Sequence, residues 1–282
     1  MTSNEYPVVL TKAGLEGRNE DVVDANVDVV NEMYQELLIS EEMAPNALGS
    51  YFVDFYLTQA LSGGFAQYVF TVPEREEVDG YVRAGLAGMG AAGHLDLFNR
   101  TVAAFDALSD DDAEVYLDGE LDESEATPEA VTELEELDGE FEALLETEDI
   151  VVLNAAWLRA QENLLVLDEE ELKAHIAGRV ALIPNLEERQ AEAAEEALEN
   201  APEFELIIRE LCAVAGYELQ KITMGDPNYI HDGEKTLAWH FATDHGDYIM
   251  VEDDDEAFMI HPETKEIIAA VEFEESEEFE DA

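Results

Sequence analysis

The sequence predicts a mainly α-helical protein: an N-terminal multi-helix domain followed by a small α+β domain with an antiparallel β-meander. Three observations carry this expectation. Apolar residues recur at helical spacing up to about residue 180, and the period then falls to two after residue 216. The 282-residue chain is 47% hydrophobic, enough to build a sizeable core although it holds 70 acidic against 13 basic residues, a formal net charge of -57.

The first helix is read from "NEDVVDANVDVVNEMYQELLIS", where Val23, Val27, Val30, Met33, Tyr34, Leu37 and Leu38 form one apolar stripe. "ALGSYFVDFYLTQAL" continues as an aromatic helix and breaks at Ser62-Gly63-Gly64. Further helices are expected at about 75 to 91, 94 to 108, 127 to 146, 150 to 165 and 168 to 180; the one at 127 opens with Thr127-Pro128 as cap and first-turn proline. Pro184 starts a polar, alanine-rich helix, "NLEERQAEAAEEALEN", which reads as a connector. A helix around Cys212 leads into five alternating runs, "YELQKI", "TLAWHFAT", "DYIMVE", "EAFMIH" and "EIIAAVEF", separated by turn sequences. The expected organisation is therefore an N-terminal extension at 1–19, an acidic helical domain at 20–182, a connector helix at 183–202, the α+β domain at 203–273 and an acidic tail at 274–282.

The chemistry-bearing motifs are weak. "GMGAAG", residues 88 to 93, has the glycine spacing of a dinucleotide fingerprint, but "EREEVDGYVRAGLA" before it is helix-like rather than a buried strand. Close helix approach and helix termination are the simpler roles for these glycines. His231, His240, His245 and His261 cluster in the C-terminal region without metal-motif spacing, and the acidic runs lack the glycine and twelfth-position glutamate of a calcium loop. No catalytic residue, cofactor or metal is expected. Cys212 lies on an apolar helical stripe and reads as a buried, inert thiol. No basic n-region precedes an apolar stretch at the start, and "IVVLNAAWL" is too short for a bilayer, so a soluble cytoplasmic protein is expected. Such acidity repels nucleic acid and anionic membranes and attracts basic proteins.

Residues 51 to 70, "YFVDFYLTQALSGGFAQYVF", combine an aromatic helix, a small-Gly-Gly-Phe break and Ala-Gln-aromatic. This resembles the core motif of the DNA-mimic protein family of the nineteen-kilodalton type, whose pattern is close to Asn-Gly-Gly-Phe-x-Gln-Tyr-Phe. Here Ser62 replaces the asparagine and Val69 an aromatic. The resemblance runs more weakly through "AGLAGMGAAGHLDLFNRTVAAF" and "LEELDGEFEALL", covering about residues 20 to 178. It implies a non-enzymatic helical domain that presents acids in place of DNA phosphates and blocks a DNA-binding transcription regulator. Physically, Gly63 and Gly64 permit the sharp turn, while Phe65, Tyr68 and Phe70 are expected to anchor it in the core.

The charge pattern gives independent support. A compact chain of this mass exposes on the order of 12,000 Å², or roughly one net charge per 210 Å², against roughly one per 110 Å² on duplex DNA. Between Arg100 and Arg159 there are 20 acids and no base. Acids four residues apart along a helix stand roughly 6 Å apart, similar to successive phosphates. The expected partner surface is Asp110, Asp111, Asp112, Glu129, Glu133, Glu136, Glu140 and Glu146, facing a basic DNA-binding protein. Two alternatives stand beside it: adaptation of the whole surface to a saline cytoplasm, and an enzyme or binding module on the C-terminal domain near Trp239, His240 and His245. Self-association as a homodimer is left open.

Overall fold

The computed structural model of the chain describes residues 6–118, 127–231, 233–253 and 255–272. The chain divides into two compact units, Met1–Leu186 and Glu187–Ala282. The acidic tail expected at 274–282 and the residues 119–126 inside the base-free window lie outside the described residues.

The first unit begins with strand β1 (Val9–Thr11) and the short helix α1 (Lys12–Glu16), and the α2 helix follows (Asn19–Gln35). Val8, Val9 and Leu10 are buried together with the inward stripe of α2, so this N-terminal segment is part of the core of the unit. A 3-10 turn at Ser40–Glu42 leads to α3 (Pro45–Thr71), α4 (Glu76–Met89), α5 (Ala92–Asp106), α6 (Asp110–Asp118), α7 (Glu129–Leu145) and α8 (Ile150–Arg159). Strand β2 (Leu165–Leu167) and α9 (Glu169–Val180) complete the unit. The helix expected over 150 to 165 thus ends at Arg159, and the β-branched and leucine residues after it pair in parallel with β1, Val9 opposite Leu165. Pro128 is the N-cap of α7 rather than its first-turn residue, with no side-chain cap.

The core of this unit has two parts, and α3 threads both. Its first half packs with α2, α8 and α9 through Leu48, Val30, Leu158 and Ile176. Its second half joins α4, α5 and α7 through Phe65, Tyr68, Leu86, Phe98 and Phe141. Tyr56 binds these elements by edge-on contacts to Tyr68, Phe98 and Phe141, with ring centroids 5.3, 4.9 and 5.6 Å away. Glycine sets one helix spacing: a Cβ on Gly85 would stand 2.3 Å from the Gly49 carbonyl oxygen, so α3 and α4 touch backbone to backbone. Gly90 ends α4 in the left-handed region, and the N–H of Ala91 donates back to the Leu86 carbonyl in a Schellman closure. The "GMGAAG" stretch is therefore helix packing and helix end.

In the second unit, α10 (Leu186–Glu199) buries no residue, and α11 (Glu203–Ala215) lays Ile207, Ile208, Leu211 and Cys212 on a sheet. The sheet is an antiparallel meander of β3 (Leu219–His231), β4 (Glu234–Thr243), β5 (Gly246–Asp253), β6 (Glu256–Ile260) and β7 (Ile267–Glu272), in that spatial order. Phe241, Met250, Met259 and Val271 meet α11; Ala238, Ile249, Val251 and Ile260 are buried on the other face with Tyr229 and Phe258. Strand β3 runs nine residues beyond the expected "YELQKI". Its Gly-Asp-Pro-Asn sequence looks like a turn, but β3 lies at the sheet edge, where a proline leaves no ladder hydrogen bond unmet. The register slips between Asp226 and Tyr229 to accommodate it.

Candidate functional site: an acidic helical surface

The bend in α3 organises the acidic helices. Gly63 and Gly64 leave helical geometry, and Gly64 takes φ +69°, a conformation only glycine adopts freely. The Thr71 hydroxyl donates to Gln59 Oε1 across this bend, although twelve residues of straight helix would hold them about 18 Å apart. Asp138 of α7 fills the space that glycine leaves: its carboxylate would stand 2.7 Å from a Cβ on Gly64. It accepts from the Phe65 N–H at 2.8 Å and from the Tyr116 hydroxyl of α6 at 3.0 Å. Burial raises the pKa of Asp138, against these two hydrogen bonds, and the nearby charges of Glu135 and Glu142 raise it further. One acid of the base-free window is thus turned inward, tying α3, α6 and α7 together.

Phe65 and Tyr68 anchor the bend in the core as expected, and Phe70 does not. Its side chain is 74% exposed. On the helix after the bend, Phe70 lies well over 90° around from the centre of the stripe shared by Phe65, Tyr68 and Val69, so aromatic type alone misplaced it.

The eight expected partner residues separate into three groups. Asp110 and Asp111 open α6 on the exposed side, while Asp112 joins its cap: the Ser109 hydroxyl donates to Asp112 Oδ2 at 2.8 Å and accepts from the Asp112 N–H. Acids in a first turn also stabilise the helix through its dipole, so these three have a structural role of their own. On α7, at 100° per residue, positions 129, 133, 136 and 140 fall within about 60° of one another and form one exposed row. Glu140 is neutralised in part: Arg100 of α5 reaches it with two donors, one at 3.0 Å, and also binds Asp96, which lowers the Glu140 pKa. Glu146, at the end of α7, lies about 110° around the helix from that row, on the side of the exposed Glu135 and Glu142. Sequence spacing missed Glu135, whose i,i+7 relation to Glu142 on an otherwise buried-stripe helix was the available signal.

A second concave region lies between α4 and α5, a groove of about 1120 Å³ lined by Arg75, Arg83, Asp79, Asp106 and Phe105 among others. Its polar centre is internally matched. Buried Asp79 accepts from the Tyr68 hydroxyl at 2.7 Å and pairs with Arg75 at 2.9 Å and Arg83 at 3.5 Å; Arg75 also binds Asp106 and lies over the Phe105 ring. Two of the few bases of the chain are therefore used to compensate one buried carboxylate.

In the second unit, Trp239 and His240 occupy successive positions of β4 and face opposite sides of the sheet. Trp239 stacks on Phe204 at 3.7 Å, and His245, in the β4–β5 turn, stacks on Tyr217. The three residues singled out there do not converge. Among the described residues, no group of three or more His, Cys, Asp or Glu side chains could hold a metal ion, and no helix is long and apolar enough to cross a membrane. Cys212 is buried under the sheet, and burial raises its thiol pKa.

Residues 41–161 match the family model of the DMP19-like proteins, narrower than the 20 to 178 suggested by the motif and ending before the second unit. The matched span contains the bend, α6 and α7. Comparison with curated proteins and with solved structures gave no match.

Proposed function

From the DMP19-like character of residues 41–161, we propose that the helical unit is a non-enzymatic acidic decoy that occupies the DNA-reading surface of a basic DNA-binding protein and inhibits it. The observation that carries this reading is the exposed row Glu129, Glu133 and Glu136, with Asp110 and Asp111, inside a base-free window of a family-matched domain. Successive acids in the row repeat at about 6 Å, near the phosphate repeat of one strand. A partner that places lysines and arginines against phosphates could place them here. The complex would form quickly, weaken steeply with salt and exclude DNA.

The test is competition. Affinity capture from the host lysate with salt elution supplies a basic DNA-binding partner, and displacement of its fluorescent DNA duplex supplies the readout. Glu129→Lys, Glu133→Lys and Glu136→Lys together should weaken displacement at least tenfold. The same number of reversals at Glu20, Asp24 and Asp28, an exposed acidic row on α2, should have a much smaller effect. Equal effects would mean that the acids act as a diffuse field, and a ternary complex with DNA still bound would end the mimicry reading.

A second reading has its own observation. Exposed acids also line α2, α9 and α10, where Glu187, Glu188, Glu192, Glu195, Glu196 and Glu199 cover one half of a helix with nothing buried. That distribution supports adaptation of the entire surface to a saline interior. The two readings are compatible in one molecule and differ in which reversals matter.

A further inference from the structure

We infer that the bend of α3 carries an apolar anchor site, built on Phe70, which takes an apolar side chain flanked by lysines or arginines on a basic partner protein. The inference rests on the acidic-decoy reading and adds to it what charge cannot supply, a contact that selects one basic protein over another. Phe70 is 74% exposed and stands beside a groove of about 270 Å³ lined by Gly63, Ala66, Gln67 and Leu117. The groove lies at the bend, where Gly63 presents backbone and no side chain, and helical periodicity after the bend sets Phe70 on the side away from Phe65, Tyr68 and Val69. An exposed phenylalanine leaves its ring in water, and aromatic side chains are enriched in protein interfaces.

The charge around the groove states what covers it. Leu117 belongs to α6, whose exposed Glu114 lies one turn earlier. Asp138, directly beneath Gly64, lies within electrostatic reach of the exposed Glu135 and Glu142 of α7. The exposed Phe70 ring, with Glu114 on α6 and Glu135 and Glu142 on α7, favours a basic segment with one apolar side chain at its centre. It disfavours a second copy of this chain, which would bring the same acids against themselves.

Two 16-residue lysine–serine peptides of equal charge test this on the full chain, one of them carrying a single central tryptophan. Fluorescence anisotropy at low salt should show the tryptophan peptide binding at least fivefold tighter. Phe70→Ala should bring that ratio to about one without changing the slope of log affinity against log salt. The Glu129, Glu133 and Glu136 reversals should flatten that slope. A thermal melt of Phe70→Ala should match the parent, since the side chain is outside the core. Equal binding of both peptides by the parent chain, or a preference that survives Phe70→Ala, overturns the anchor and leaves the acidic surface standing. Failure of either peptide to bind at low salt overturns the acidic surface, and the anchor with it.

Discussion

Gly64 and Asp138 show how one acid in this chain acquires a different role from its neighbours. A side chain at Gly64 meets two obstacles: φ +69° with ψ -165° is a conformation essentially confined to glycine and costs an L-residue roughly 1–3 kcal/mol, and the Asp138 carboxylate occupies the space. Gly64→Ala should therefore lower stability by about 2 kcal/mol or more, read by urea denaturation. Asp138→Ala strands the Phe65 N–H and should cost about 1–3 kcal/mol. Asp138→Asn keeps an acceptor and supplies a sign test. Because the folded-state pKa of Asp138 is raised, its contribution is present below the unfolded value and is lost as pH rises through the folded one. Measured from pH 4 upward, the asparagine variant should gain stability relative to the parent. A constant difference would mean that the carboxyl titrates alike in both states.

At the scale of elements, what the sequence made legible depended on whether a local pattern had a competing explanation. Helix α7 was readable through its acids because Val131, Leu134, Leu137 and Phe141 recur on one side, and these four are buried. The bend at Gly63-Gly64 was readable because no other residue pair offers that geometry. Strand β3 was cut short because Pro227 and Asn228 carry turn chemistry, and only the neighbour β4 reveals that the segment is an edge strand. The candidate site was half legible: the acid row followed from spacing, and so could the outward position of Phe70, off the stripe of Phe65, Tyr68 and Val69, whereas Arg100 capturing Glu140 depends on packing between distant elements. Helix α10 is the case where absence of a pattern is informative. With no buried residue, it is expected to open before the helices that carry a core stripe. Limited proteolysis with a glutamyl-specific protease should cut first between residues 183 and 203 and release two resistant fragments. First cleavage inside α5 or β5 would contradict this.

For the whole molecule, 57 formal charges over 17,059 Å² average one per about 300 Å². That is more dilute than the one per about 210 Å² expected for a single compact body of this mass. Average density is therefore well below that of DNA, and any likeness to a duplex belongs to local rows such as that on α7. Self-repulsion remains large, and raising potassium chloride from 0.1 to 2 M should raise the melting temperature by several degrees as screening shortens to about 3 Å or less. A melting temperature independent of salt would remove salt adaptation as an explanation of the charge. The irregular edge of the sheet matters when copies crowd together during synthesis. Pro227 and the slipped register between Asp226 and Tyr229 deny a neighbouring molecule the unbroken row of donors and acceptors that strand-by-strand aggregation needs. The proline that hid β3 in the sequence therefore acts as a gatekeeper, and it guards the sheet even in brine, where screened charges no longer hold the copies apart.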